Sequence, residues 1–168
     1  MGTIAAPPLS KKKIELIAWQ IRNLVSNGEN LYFPIMAFIE ILGTIKELNF
    51  NYEIVPDQEM GNHYAHYNPI TNVLSMRESV YNGAYNDCGR DRFTLAHELG
   101  HFILHRHAVQ FARAELGTVP VYQDPEWQAN TFASMFLMPP RLIKGMTADE
   151  VANQCKTSKQ AAEIALKK

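Results

Sequence analysis

Apolar positions recur at helical spacing over most of this chain, and only a few short stretches read as strand. Ile14, Ile17, Ala18, Ile21 and Leu24 to Val25 share one side of a helix that Ser10 caps. That helix is expected to run to about Ser26, where Asn27-Gly28 ends it. Pro34 opens a second helix, roughly Ile35 to Leu48, because its fixed φ suits a first helical turn. Tyr52 to Val55 is a strand candidate. His63 to Tyr67 and Asn72 to Met76 flank the turn Asn68-Pro69-Ile70-Thr71 and read as a hairpin. Polar Arg77 to Asn82 starts a short helix, and Gly83 to Gly89 reads as loop. Arg92 to about His107 is the central helix. A connection through Gly117, Pro120 and Asp124 leads to a helix over Pro125 to Leu137, closed by Pro139-Pro140. Thr147 with Glu150, and Thr157 with Gln160, each fit a capping box, so the tail (147–167) holds two short helices. The expected fold class is α+β: mostly helical, with a small antiparallel sheet packed on the central helix. Residues 1–9 are expected to be a flexible lead-in and residues 10–168 a single domain.

Composition narrows the classes of function. A chain of 168 residues suits one domain and can bury a core without disulfides. Its net charge of −1 argues against a nucleic-acid partner and against an anionic membrane surface. Lys11 to Lys13 and Lys167 to Lys168 read as solvated ends. Cys88 and Cys155 form no CxxC pair, which points to a reducing, cytoplasmic setting. No run approaches the ~18 apolar residues of a membrane span, and Met1 to Lys13 lack the apolar stretch of a secretion signal. Cys88 lies nine residues before His97. A loop thiol is its simpler reading, ahead of a thiolate that masks a metal.

The chemistry concentrates on the central helix, at His97-Glu98-Leu99-Gly100-His101. H-E-x-x-H arises by chance in roughly one chain of this length in a few hundred. With ~100° per residue, His97, His101 and Glu98 fall within about a quarter turn, together with Thr94 and His105. Leu95, Ala96, Leu99, Gly100, Phe102, Ile103 and Leu104 occupy the remainder. Such a helix should be buried, and a buried stripe of one carboxylate and two imidazoles needs compensation. A single divalent cation provides it. Histidines four residues apart can point neutral imidazoles at one Zn2+, while Glu98 beside the ion exchanges protons with water. Other divalent ions suit such a nitrogen and oxygen set as well. A catalytic zinc needs a third protein ligand. Glu126 is the candidate, in a helix start with Asp124 as N-cap and Pro125 in the first position. Asn130 shares its face and is placed to orient a ligand histidine. Ala129 and Ala133 would allow close approach to the metal helix. His105, His107 and Asp124 stay open as rival ligands.

Arg92-Phe93-Thr94-Leu95-Ala96-His97-Glu98-Leu99-Gly100-His101-Phe102-Ile103-Leu104-His105 resembles the ImmA/IrrE family of metallo-endopeptidases, a zincin-like group. So does Glu126-Trp127-Gln128-Ala129-Asn130-Thr131-Phe132-Ala133, with Leu137-Met138-Pro139 after it. The resemblance implies zinc held by His97, His101 and Glu126, with Glu98 as general base. Asn130 stands where thermolysin-like zincins carry an Asp, so it orients without charge. The resemblance also implies a protein substrate, a helix-turn-helix repressor of a mobile element or stress response. The region before Arg92 departs from the family pattern. The alternative is a non-proteolytic, metal-containing module that sequesters a regulator. Asn72 to Met76 is the expected edge strand for a substrate. His63, Tyr64, His66, Tyr67 and His105 are candidate donors to a transition-state oxyanion, though His105 reads first as a supporting or core residue behind the metal. The tail is read as a packing element rather than a DNA-binding pair of helices.

Overall fold

The helix that carries the H-E-x-x-H motif, α4 (Gly89–His105), lies between a sheet and a second layer of helices. The computed structural model describes residues 3–25, 28–107, 112–114 and 119–167. The expected end of the first helix at Ser26-Asn27 and the connection at Gly117 lie outside them. In chain order the described elements are β1 (Thr3–Ala5), α1 (Lys11–Val25), α2 (Ile35–Thr44), β2 (Asn51–Val55), β3 (Ala65–Asn68), β4 (Val73–Arg77) and α3 (Glu78–Tyr85). After α4 come β5 (Ala112–Ala114), α5 (Pro125–Leu137), α6 (Pro140–Ile143), α7 (Ala148–Cys155) and α8 (Lys159–Leu166). Short 3-10 turns at Lys46–Leu48, Asp57–Met60 and Val121–Gln123 complete the path. The fold is α+β, as the periodicity predicts.

The sheet differs from expectation in one respect. β3 and β4 form the predicted antiparallel hairpin, but β2 pairs with β4 in parallel, so the three-stranded sheet is mixed. Its order is β2-β4-β3. Strand β4 is therefore central, and among the described residues the edges are β2 and β3, with β3 the one beside α4, rather than Asn72–Met76. The hairpin turns on Asn72, whose φ of 59° is a left-handed conformation that asparagine tolerates. Its amide donates to Leu48 O at 2.9 Å and Asn49 O at 2.7 Å, tying the hairpin to the start of β2. Thr3–Ala5, within the stretch read as a lead-in, pairs antiparallel with Ala112–Ala114.

Burial explains why α4 sits where it does. Leu95, Leu99 and Phe102 are almost fully enclosed, worth roughly 1.5–3 kcal/mol each in apolar transfer. Phe102 packs between Phe50 (centroids 4.6 Å) and Tyr67 (5.6 Å), which joins the helix to the sheet. On the other side α5 crosses α4 at Gly100. A Cβ there would meet Ala129 Cα at 3.1 Å, Ala129 O at 3.2 Å and Phe132 Cδ1 at 3.2 Å. α4 begins one turn before its predicted start, at Gly89. A Cβ on Gly89 would lie 2.5 Å from Ser158 N, so the tail backbone rests directly on the helix start.

Two buried arginines hold the loops. Arg92 donates to Phe33 O at 2.8 Å and Lys156 O at 3.0 Å and pairs with Asp87 at 3.6 Å. Arg22 donates to Phe136 O at 2.6 Å and to Asn30 O. Arg22 continues the buried stripe of Ile14 and Ala18, so the apolar face expected to reach Leu24 and Val25 ends early. Leu24 is 84% exposed. The Thr147 capping box forms as predicted. The second does not: Ser158 caps α8, while Thr157 is buried and its hydroxyl faces Met138 Sδ at 3.4 Å.

The crossing at Gly100 is tight because the facing atoms are mostly backbone. Gly100→Val should destabilise the fold by about 1–3 kcal/mol, lowering Tm by about 2–4 °C per kcal/mol in a scanning-calorimetry comparison.

Candidate metal centre

α4 and α5 bring His97, His101 and Glu126 to one point. His97 Nε2 and His101 Nε2 are 3.1 Å apart. Glu126 Oε2 lies 3.2 Å from the first and Oε1 3.2 Å from the second. One ligand atom from each residue lies within 4.8 Å of the others, and this is the metal-type cluster among the described residues. The reason is local on both helices. Histidines at i and i+4 share a face. Asp124 caps α5 by accepting from Glu126 N at 3.0 Å, which fixes the first turn and sends Glu126 forward. Asp124 is thereby occupied as a cap. His105 points elsewhere, so neither residue joins the trio.

The trio fits a small divalent cation. Tetrahedral bonds of ~2.1 Å would space the ligand atoms by about 3.4 Å, close to the separations found. Unprotonated imidazole nitrogens and a carboxylate at such distances repel one another unless a cation or shared protons lie among them. The electrostatics agree. Burial works against charge on His97, yet its hydrogen bond to Glu126 and the charges of Glu98 and Glu126 outweigh that and raise its pKa. Hydrogen bonds from His101 and His97 hold the Glu126 carboxyl far below the usual carboxylate range. The imidazoles are mostly covered, at 17% and 19% exposure, while Glu126 is 64% exposed. The site is anchored below and open above.

Each remaining site residue has a definite place. His97 Nδ1 lies 2.9 Å from Asn130 Oδ1, as the shared face of Glu126 and Asn130 suggests. Glu98 stays off the trio. Its Oε2 accepts from Tyr67 N of β3 at 2.7 Å, and the residue lines a cleft of about 350 Å³ together with the two histidines and Glu126. His63, His66 and Pro69 line it as well. Of the candidate oxyanion donors, the Tyr67 hydroxyl is spent on Asn72 at 2.6 Å, and the Tyr64 ring stacks under Arg77 and Arg90. His63 and His66 are left facing the cleft. Cys88 is the residue before α4 and is exposed there, far along the helix from His97.

Sequence reasoning gave Gln128 no role. It is fully buried and bonds His105 Nε2 through Oε1 at 2.7 Å. It lies about 160° around α5 from Glu126, so helical period places it away from the metal face. Its polarity amid apolar neighbours was the available signal.

Zinc titration into the metal-free protein is expected to show one equivalent bound per chain, lost in Glu126→Ala. Because the ligand imidazoles must be unprotonated, affinity should fall on acidification. The fall should begin above the ordinary histidine pKa, since that of His97 is raised. A chelator competition run between pH 8 and pH 6 reads this directly.

The family model described as IrrE N-terminal-like domain, of peptidase family M78, matches residues 49–167. No curated protein matches the chain. Among solved structures, a Mycobacterium tuberculosis transcriptional regulator is similar in fold, with a TM-score of 0.55 and 15% sequence identity. The match covers 89% of this chain and 44% of that one, so the chain spans less than half of the regulator's length.

Proposed function

The chain belongs to the IrrE N-terminal-like domain family of peptidases, and from that premise we propose that it is a zinc-dependent endopeptidase acting on a protein partner. The observation that carries this reading is Glu98, fixed beside the trio of His97, His101 and Glu126 yet not part of it. In this reading His97, His101 and Glu126 hold the ion. A bound zinc ion supplies Lewis acidity toward a carbonyl and brings the pKa of water close to 7.

The protein's own groups do the rest. Glu98 takes a proton from the attacking water and returns it to the departing amine. The Tyr67 N–H holds one of its oxygens and leaves the other for the cleft. The substrate lies along the edge of β3. Alternation along a strand puts the N–H and C=O of Ala65 and Tyr67 on that edge. Since the Tyr67 N–H serves Glu98, an extended peptide would use the Ala65 groups and the Tyr67 carbonyl. His63 and His66 line the same cleft and are the proposed donors to the carbonyl oxygen as it becomes negative.

A helix-turn-helix repressor is the proposed substrate, in the cytoplasm. The motif resemblance supports it, and the likeness to a transcriptional regulator is compatible with it. A second reading has the metal-bearing domain sequester a regulator without cutting it. Glu98→Gln separates the two. With zinc and a repressor encoded beside the gene, the variant should bind zinc normally and cleave about 10²–10⁴-fold more slowly. Full biological effect in the variant would establish the non-proteolytic reading.

A further inference from the structure

Behind His101 lies a chain of polar groups that ends in the backbone of the N-terminal segment. Gln128 Nε2 donates to Pro7 O at 2.8 Å and to Tyr122 O at 2.8 Å. Carbonyl oxygens only accept, so the amide nitrogen must face them. Gln128 Oε1 therefore faces His105 Nε2, at 2.7 Å, and can only accept. His105 Nε2 must then carry the proton. A neutral His105 has a bare Nδ1, and that atom lies 3.1 Å from His101 Nδ1. Each assignment forces the next.

We propose that Gln128 and His105 are positioning residues, which set the proton on His101 Nδ1 and thereby turn the lone pair of His101 Nε2 toward Glu126 and His97. On this account His101 is presented to a cation in the one tautomer that can bind it. Asn130 does the same for His97 through a single bond. The His101 side uses three steps because the direct neighbour of its Nδ1 is another histidine, whose Nε2 in turn bonds Gln128.

Two further observations support the assignment. Gln128 is fully buried and His105 nearly so, and buried polar groups are kept when their bonds are complete. The segment supplying Pro7 is itself held, by Ala6 N to Gln123 O at 2.7 Å and Leu9 N to Tyr122 O at 3.0 Å. Pro7 lies outside the stretch that matches the family, 49–167. A residue at the start of this chain thus takes part in ordering its metal site.

The inference rests on the metal reading of the site, and the experiment separates the two. Full-length wild type, His105→Leu, Gln128→Leu and His105→Gln are titrated with zinc against a chelator, with thermal melts as the check on folding. His105→Leu and Gln128→Leu should bind zinc about 10–100-fold more weakly. His105→Gln, which can accept from His101 and donate to Gln128, should recover most of the loss. Nitrogen-15 spectra of zinc-loaded wild type should show His105 protonated at Nε2 and bare at Nδ1, and this holds whether or not a variant folds. A proton found on His105 Nδ1 overturns the proposal. So does His105→Leu, folded as wild type, with unchanged zinc affinity. Wild type that takes up no zinc would instead remove the metal reading itself.

Discussion

Two imidazole nitrogens 3.1 Å apart, each with a Glu126 oxygen at 3.2 Å, set the terms for the rest of this protein. Two imidazole nitrogens and a carboxylate do not stay that close in a partly dry cleft unless positive charge offsets their repulsion. The surrounding structure is arranged around that demand. Apolar burial along α4 supplies roughly 5–9 kcal/mol from three side chains alone, enough to carry a polar stripe on one face of the helix. Rigid partners behind each imidazole prevent the rings from turning away.

Close helix packing is the mechanical counterpart of this chemistry. His97 and His101 come from one helix and Glu126 from another, so the site depends on the distance between them. Gly100 against the backbone of Ala129 sets that distance, and Asp124 sets the start of α5. The sheet contributes from the other side. Phe102 fixes β3 against α4, and Tyr67 N then reaches Glu98. A single strand thus anchors Glu98 and lines the cleft beside it. The tail shares in this order, since Arg92 grips the turn between α7 and α8 and Ser158 lies on Gly89.

Much of this was legible in the chain. The span Pro125–Leu137 follows from Asp124, Pro125 and the closing prolines, each a strong local determinant. The hairpin follows from its alternation and turn. His97, Glu98 and His101 announce themselves by spacing, and Glu126 with Asn130 by a helix start that places them on one face. Other features left no such mark. The parallel pairing of β2 with β4 needs partners distant in sequence, and a short strand has no preference for direction. The edge strand was misplaced for that reason: the third strand takes one side of β4 and leaves β3 exposed. Thr157 and Ser158 both fit a cap, and the burial of Thr157 against Met138 decided between them. Arg22 continues the stripe of Ile14 and Ala18 and stays buried there because carbonyls from Asn30 and Phe136 accept from its guanidinium.

The sequence by itself singled out the candidate chemistry: His97, His101 and Glu126 as possible ligands, Glu98 as the carboxylate beside them, and the helices that present them. Those properties depend on side-chain type and on a period of 3.6 residues, and both are local. Only the tertiary structure decided how the two helices meet, which strand edge lines the cleft, and what stands behind each histidine. Gln128 shows the difference most sharply. Its helical position faces away from the metal, yet Pro7, Tyr122 and His105 converge on its amide. The bond from Gln128 to Pro7, 121 positions away, is a property of the packed chain, and no local pattern encodes it.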